Sequence, residues 1–496
     1  MLVMGVFFPQ GVKAQTHEPT ELTNLVVFVR FADDAEIDQP MDSVDRLFNS
    51  REPGYLSVYN YFDVVTYGQI HFNTVYTNNI QNGVIVSYVD PMPRAYFQPY
   101  SDSNLIGYQP EEIPYMGVPM REAQLLGRIV RYVDSLHLVD ADVVLDGDGD
   151  GDIDNISFIV KGKEDTWDDM LWPHMEFFPH DSLGYISTIN GIILNTFNFE
   201  FEGSQKYFNA HVFRHELGHS LGLPDLYHYV YYFDVLNAGT WDQMCKASAG
   251  GNQISAIYKS KVLHVCDDPI EITTDGDYTL RSVGSSASQN CYYIKSSIDS
   301  TQWFTFEYRR KADLFDGGIP GTGLIAGRWS DTIAMDSRNY YSNAFFDFYN
   351  VANQYWIFRP GSDIDTVNGG LDNAHFCSSV GRNTEPRTSF GPTTDPHPYL
   401  TDGTPETSFE ITNIHENGTE LTFHVHFFNH AGVTEAPASD IRVYAVDDRI
   451  VVEGGHGERV SVFDIVGRPV GDRALSAGVY VVKVGDRPAR KVVIVK

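Results

Sequence analysis

His215-Glu216-Leu217-Gly218-His219 places two imidazoles four residues apart with a carboxylate between them. On a helix, residues at that spacing share a face, so both rings turn toward one ion. Glu216 then lies beside the open coordination position. From there it takes a proton from a metal-activated water and passes it to a leaving amine. Zinc suits this donor set, and hydrolysis is the chemistry it supports. Two ordinary histidines on a helix would spell the same five letters, so the flanking residues carry the weight. Gly222 allows the helix to stop and turn through a left-handed residue, and Pro224 prevents simple continuation. No Glu occurs between Glu216 and Glu271, which leaves Asp225, His228, Asp234 and Asp242 as third-ligand candidates. Asp225 is preferred over His228, because a chain turned at Gly222 brings position 225 back toward the ion and position 228 needs a further bend. Gly239-Thr240-Trp241-Asp242-Gln243-Met244 is compatible with a tight turn that sets Met244 beneath the metal, although a loop Met is more often core filler.

A second cluster alternates carboxylates with glycine: Asp146, Asp148, Asp150, Asp152 and Asp154. The spacing matches the first half of an EF-hand loop. Asp146, Asp148 and Asp150 would offer side chains, Asp152 its carbonyl, and Asp154 a direct or water-mediated contact. Position 12 is Ser157 rather than Glu, so the loop is not a full EF-hand. Calcium is the expected occupant, against the alternative of a solvated acidic turn.

The elements that position these residues alternate in type. Leu25 to Phe31 reads as a central strand, Ser57 to Phe62 as a helix, and Ile70 to Tyr76 as a strand. Arg121 to Leu136 has helical spacing, and Ile156 to Val160 follows the acidic loop as another strand. The pattern up to residue 266 predicts an α/β catalytic domain over 15–266. From residue 267 to 430, short strands such as Tyr278 to Arg281 and Phe304 to Tyr308 predict an all-β sandwich. A small-residue linker at 431–439 precedes a compact β module at 440–496.

The stretch from His215 to Tyr227, with Trp241-Asp242-Gln243-Met244, resembles the immune-inhibitor-A family of secreted metalloproteases, relatives of the metzincins. Tyr67-Gly68-Gln69 and Trp172-Pro173-His174 are similar to further family landmarks, and His228 departs from the acidic residue common there. The resemblance runs, with gaps, over most of residues 25 to 330. It implies a metzincin-like fold, catalytic zinc, endopeptidase activity on proteins, and structural calcium. The C-terminal module is similar to the sorting domain of type IX secretion cargo through Asp464 to Arg468, Gly478-Val479-Tyr480 and its basic end. That likeness implies recognition by the type IX machinery and a secreted or cell-surface protein exported through the periplasm.

Composition narrows the classes. The 496 residues suggest roughly two to four domains, and 42% hydrophobic content supplies their cores. A formal charge of −31, from 66 acidic and 35 basic residues, argues against binding a nucleic-acid backbone. Residues 1–14 read as a signal peptide, although no Lys or Arg precedes their apolar run. No later stretch reaches the ~20 apolar residues of a membrane helix. Four cysteines, Cys245, Cys266, Cys291 and Cys377, leave one or two bridges or free buried thiols open. The rival to a protease is a surface adhesin or binding protein with a catalytically inactive protease-like domain.

Overall fold

The computed structural model describes residues 18–428 apart from 81–82, 115–116, 163–169, 204–209, 228–234, 333–352, 366 and 380–385. Beyond these it describes 442–446, 449–453, 459–464, 468–470, 475–476, 478–485 and 490–494. The signal segment, the linker, His228 and Asp234 lie outside the described residues. The chain divides into two compact units, one ending at Phe427 and the other spanning Phe428–Lys496. It is a mixed α/β protein with several sheets.

The first unit is organised on β1 (Thr20–Phe31). Alternate side chains of this strand bury in two different cores. Leu25, Val27, Val29 and Phe31 pack with Leu125, Ile129 and Val133, while Leu22, Val26 and Phe28 pack with Val44, Phe62, Phe213 and Leu217. A strand apolar on both faces belongs in the middle of a covered, mainly parallel sheet. Its neighbours are β2 (Ile70–Tyr76) and β3 (Tyr88–Asp90) on one edge and β4 (Asn155–Val160) on the other, all parallel to it. After β5 (His174–Phe177), a hairpin of β6 (Thr188–Ile189) and β7 (Ile192–Ile193) leads to β8 (Thr196–Phe201). β8 lies parallel to β4, and β5 closes the sheet antiparallel to β8. Helix α1 (Met41–Asn49), α2 (Val58–Val65) and α5 (Ala210–Ser220) cover one face; α3 (Met120–Ser135) covers the other, with the short α4 (His180–Leu183) between them in sequence. Ser57 caps α2 by accepting from Asn60 N at 3.0 Å. No described helix is long and apolar enough to cross a membrane.

After α6 (Ala256–Lys261) the chain is built of strands. One sheet joins β9 (Ile270–Glu271), β11 (Cys291–Lys295), β12 (Gln302–Arg309), β13 (Gly323–Ser330) and β14 (Tyr355–Ile357). A second joins β10 (Gly276–Arg281), β16 (Glu420–Phe427) and β15 (Phe409–Asn417). Phe304, Phe306, Leu324, Phe409 and Phe423 fill the core between them. The outer face of the five-stranded sheet is covered as well. Ile325, Trp329, Tyr355 and Ile357 enter the same core as Phe213 and Leu217 of α5. The segments on either side of residue 266 therefore share one hydrophobic core.

The second unit pairs β17 (Arg442–Val446) with β18 (Arg449–Glu453), and orders β20 (Pro469–Val470), β19 (Val460–Asp464), β21 (Gly478–Val484) and β22 (Arg490–Ile494) in a second sheet. All these pairings are antiparallel. Arg468 closes the turn after β19, with its Nε 2.8 Å from Asp464 Oδ2 and its backbone N donating to Asp464 Oδ1.

Candidate metal centre

Helix α5 is anchored by Phe213 and Leu217, which leaves His215, Glu216 and His219 on its other side. Its end is tied to the central sheet where Ser220 Oγ donates to Asn155 Oδ1 at 2.9 Å. Gly222 adopts φ +85°, the left-handed conformation expected of a helix stop. Gly222 N donates to His219 O at 2.8 Å and Leu223 N to Gly218 O at 3.2 Å. These two bonds form a Schellman cap, and they reverse the chain at once.

The reversal brings Asp225 to both histidines. Its Oδ1 lies 3.0 Å from His215 Nε2 and 3.3 Å from His219 Nε2. Ligand-capable atoms of His215, Glu216 and His219 also lie within 4.8 Å of one another. Each imidazole is fixed by its other nitrogen: His215 Nδ1 lies 3.0 Å from Gln243 O, and His219 Nδ1 2.7 Å from Leu223 O. A carbonyl only accepts, so Nδ1 of each ring holds a proton and Nε2 is the atom that faces the site.

Met244 lies beneath. A Cβ added to Gly218 would fall 2.7 Å from Met244 Sδ, so the glycine lets the sulfur approach the helix backbone. Met244 N donates to Asp242 Oδ1 at 2.8 Å, while Ser255 N and Oγ donate to Asp242 Oδ2 at 2.7 and 2.6 Å. Asp242, a ligand candidate in the sequence, is thus committed to organising this turn. Arg309 of β12 donates to Trp241 O and pairs with Asp316, so the β-rich segment holds the turn from outside. Cys245 Sγ accepts from Gly239 N at 3.0 Å. All four cysteines are free thiols.

Burial and charge act together here. Burial pushes the Glu216 carboxyl up, against the flanking histidines. Burial alone would raise Asp225 too, yet the two imidazoles hold it well below the usual carboxylate range. Burial opposes the imidazolium of His215, but Asp225 and Glu216 raise it to about 9. Two inward Nε2 atoms and one anionic oxygen, all on largely buried side chains, fit a divalent cation of zinc's preferences. Close by on β5, His174 Nε2 pairs with buried Glu122 at 3.2 Å, and its Nδ1 lies 2.5 Å from Trp172 O. Burial opposes its charge, while Glu122, then the Trp172 carbonyl and Glu216, raise it to about 9. In the sequence His174 stands out only within the landmark Trp172-Pro173-His174, and neither its pairing with Glu122 nor the part played by Arg309 is signalled there.

In the acidic loop, Asp146, Asp148 and Asp154 come within 4.8 Å of one another. Asp150 and Asp152 stand outside that group, and Asp150 Oδ1 instead accepts from Asp152 N at 2.9 Å. Asp154 also accepts from Thr23 N at 2.7 Å, which fastens the loop to β1. Burial raises Asp154 to about 6, against the bonds it accepts from Thr23 and Gly147.

No family model matches the chain, and no curated protein does so either.

Proposed function

We propose that the chain is a secreted, zinc-dependent endopeptidase with a metzincin-like catalytic region, as its likeness to the immune-inhibitor-A family implies. The observation that carries this reading is Asp225 Oδ1 lying against the Nε2 atoms of both histidines. Zinc, when bound, supplies Lewis acidity that polarises a peptide carbonyl and acidifies water. His215, His219 and Asp225 would hold the cation, and the carbonyls of Gln243 and Leu223 fix the two rings. Glu216 is the general base: its carboxylate takes the proton of the attacking water and returns it to the leaving amine. Digestion of an unfolded protein before and after a zinc chelator, with zinc then restored, tests the assignment. Cleavage that persists after complete removal of metal excludes it.

Structural calcium belongs to the same reading, held by Asp146, Asp148 and Asp154. The folded state keeps the Asp154 proton more tightly than the unfolded chain does. The loop's contribution to stability therefore falls as pH rises from about 4 to about 6. Calcium at 100-fold excess over its Kd should raise the melting temperature by ~3 °C at pH 7.5 and by less at pH 5. A melting temperature indifferent to calcium at pH 7.5 identifies the loop as a solvated turn.

The sorting role rests on the second compact unit. Deleting residues 440–496 should leave hydrolysis by the purified protein within about twofold of wild type, because the catalytic groups all precede Phe427. In its host the shortened chain should accumulate in the periplasm. Its undiminished appearance outside the cell would refute the sorting assignment.

A further inference from the structure

Arg214 precedes the first metal-facing histidine, but it points elsewhere. It is 1% exposed and lies with Phe213 and Leu217 on the side of α5 that packs against the core. Its Nε donates to Ala210 O at 3.1 Å and one terminal nitrogen reaches Ser248 O at 3.5 Å, while the other, Nη1, has no hydrogen-bond partner among the described residues. Among the described residues the guanidinium has no carboxylate partner either. Its close neighbours are the rings of Tyr61 and Phe315, each 5.3 Å from the guanidinium carbon. Burial pulls it down to about 10, an unusual state for arginine. A buried cation with a vacant donor needs a counter-charge.

The space beside it is suited to one. A cavity of about 460 Å³ lies against Arg214 and is walled by Leu47, Tyr55, Leu56, Ala210 and His211. The lining residues Gly54 and Ala249 are exposed and Arg214 is buried, so Arg214 borders the inner side of the cavity. No Asp or Glu lines the cavity, in a chain of net charge −31.

We propose that this cavity is a binding site for a carboxylate carried on a small apolar body, such as the free chain end of a peptide. A planar guanidinium matches a carboxylate in shape and charge, whereas one buried positive charge is a poor match for a phosphate dianion. The cavity leaves room for a body the size of one or two amino-acid residues, with Leu47, Leu56 and Ala210 as its apolar contacts. The site is separate from the metal face, and its occupancy neutralises the buried charge on the turn that leads into His215.

Calorimetry on the metal-replete protein in low-chloride buffer tests this. N-acetyl-leucine and a tripeptide with a free C-terminus are compared with N-acetyl-leucine amide, the C-amidated tripeptide and inorganic phosphate. The free carboxylates should raise the melting temperature saturably by roughly 3 °C at 100-fold excess over Kd, and the amides should not. A response to N-acetyl-leucine and the tripeptide alike marks a general carboxylate pocket; a response to the tripeptide alone marks a peptide-end pocket. Arg214→Met should melt no lower than wild type without ligand, and it should lose the response. Leu56→Trp, which fills the cavity and keeps the arginine, should lose the response as well. The proposal is overturned if no carboxylate shifts the melting temperature, if phosphate shifts it more, or if both variants respond as wild type does.

Discussion

Glu216→Gln should lower kcat by about 10²–10⁴-fold with KM little changed and zinc content stoichiometric. Glutamine matches glutamate in shape but offers no basic oxygen, so the variant removes the proton acceptor and leaves the ligands in place. The site makes the loss hard to compensate. Glu216 is buried, and among the described residues near it Asp225 is already engaged with both histidines. His174 is paired with Glu122 and is held as a cation, so it cannot substitute as a base. Metal analysis alongside steady-state kinetics decides the outcome. A variant that keeps more than a tenth of wild-type kcat at full zinc occupancy removes Glu216 from the mechanism.

Asp225→Ala should strip zinc and activity together. Loss of a group that merely orients a ligand costs ~10–100-fold in metal affinity, and loss of a ligand should exceed that. His228→Ala should retain near-stoichiometric metal. The metal-free wild type offers an independent check through pH. The His215 imidazolium is raised to about 9 by its carboxylate neighbours, above an unfolded value near 6.5. The stabilisation from that pairing is complete below the unfolded value and is lost as pH rises through about 9. Metal-free wild type should therefore lose melting temperature between pH 7 and 9, and Asp225→Ala should lose much less. Zinc retained by Asp225→Ala and lost from His228→Ala would transfer the ligand role to position 228.

The part of the site that could be read from sequence is the part that is local. Histidines four apart, a glycine three residues on and a proline after it specify a helix face and a chain reversal within about ten residues. The observed cap follows that specification down to the left-handed Gly222. Strand and helix positions around β2, α3 and β4 were legible for the same reason, since each carries its own periodicity. What orients the imidazoles was not legible. Gln243 and Leu223 contribute backbone carbonyls, which no side-chain identity announces. The grip of Arg309 on Trp241 O joins residues 68 apart and depends on the fold as a whole. β13 shows every residue buried, so it lacks the alternation by which a strand's inner face is recognised. In the acidic loop the spacing was legible, yet spacing alone does not distinguish a carboxylate aimed inward from one, like Asp150, that closes its own turn.

The common core across residue 266 also bears on how this chain tolerates recombination. A crossover there would take Ile325, Trp329 and Tyr355 away from the packing behind α5, and Arg309 away from the turn that carries Met244. The incoming partner would have to restore both at once, which a random exchange will rarely do. A crossover after Phe427 falls instead at the division between the two compact units. Heritable exchange should therefore treat everything up to Phe427 as one cassette, with the terminal β module as the freely traded piece.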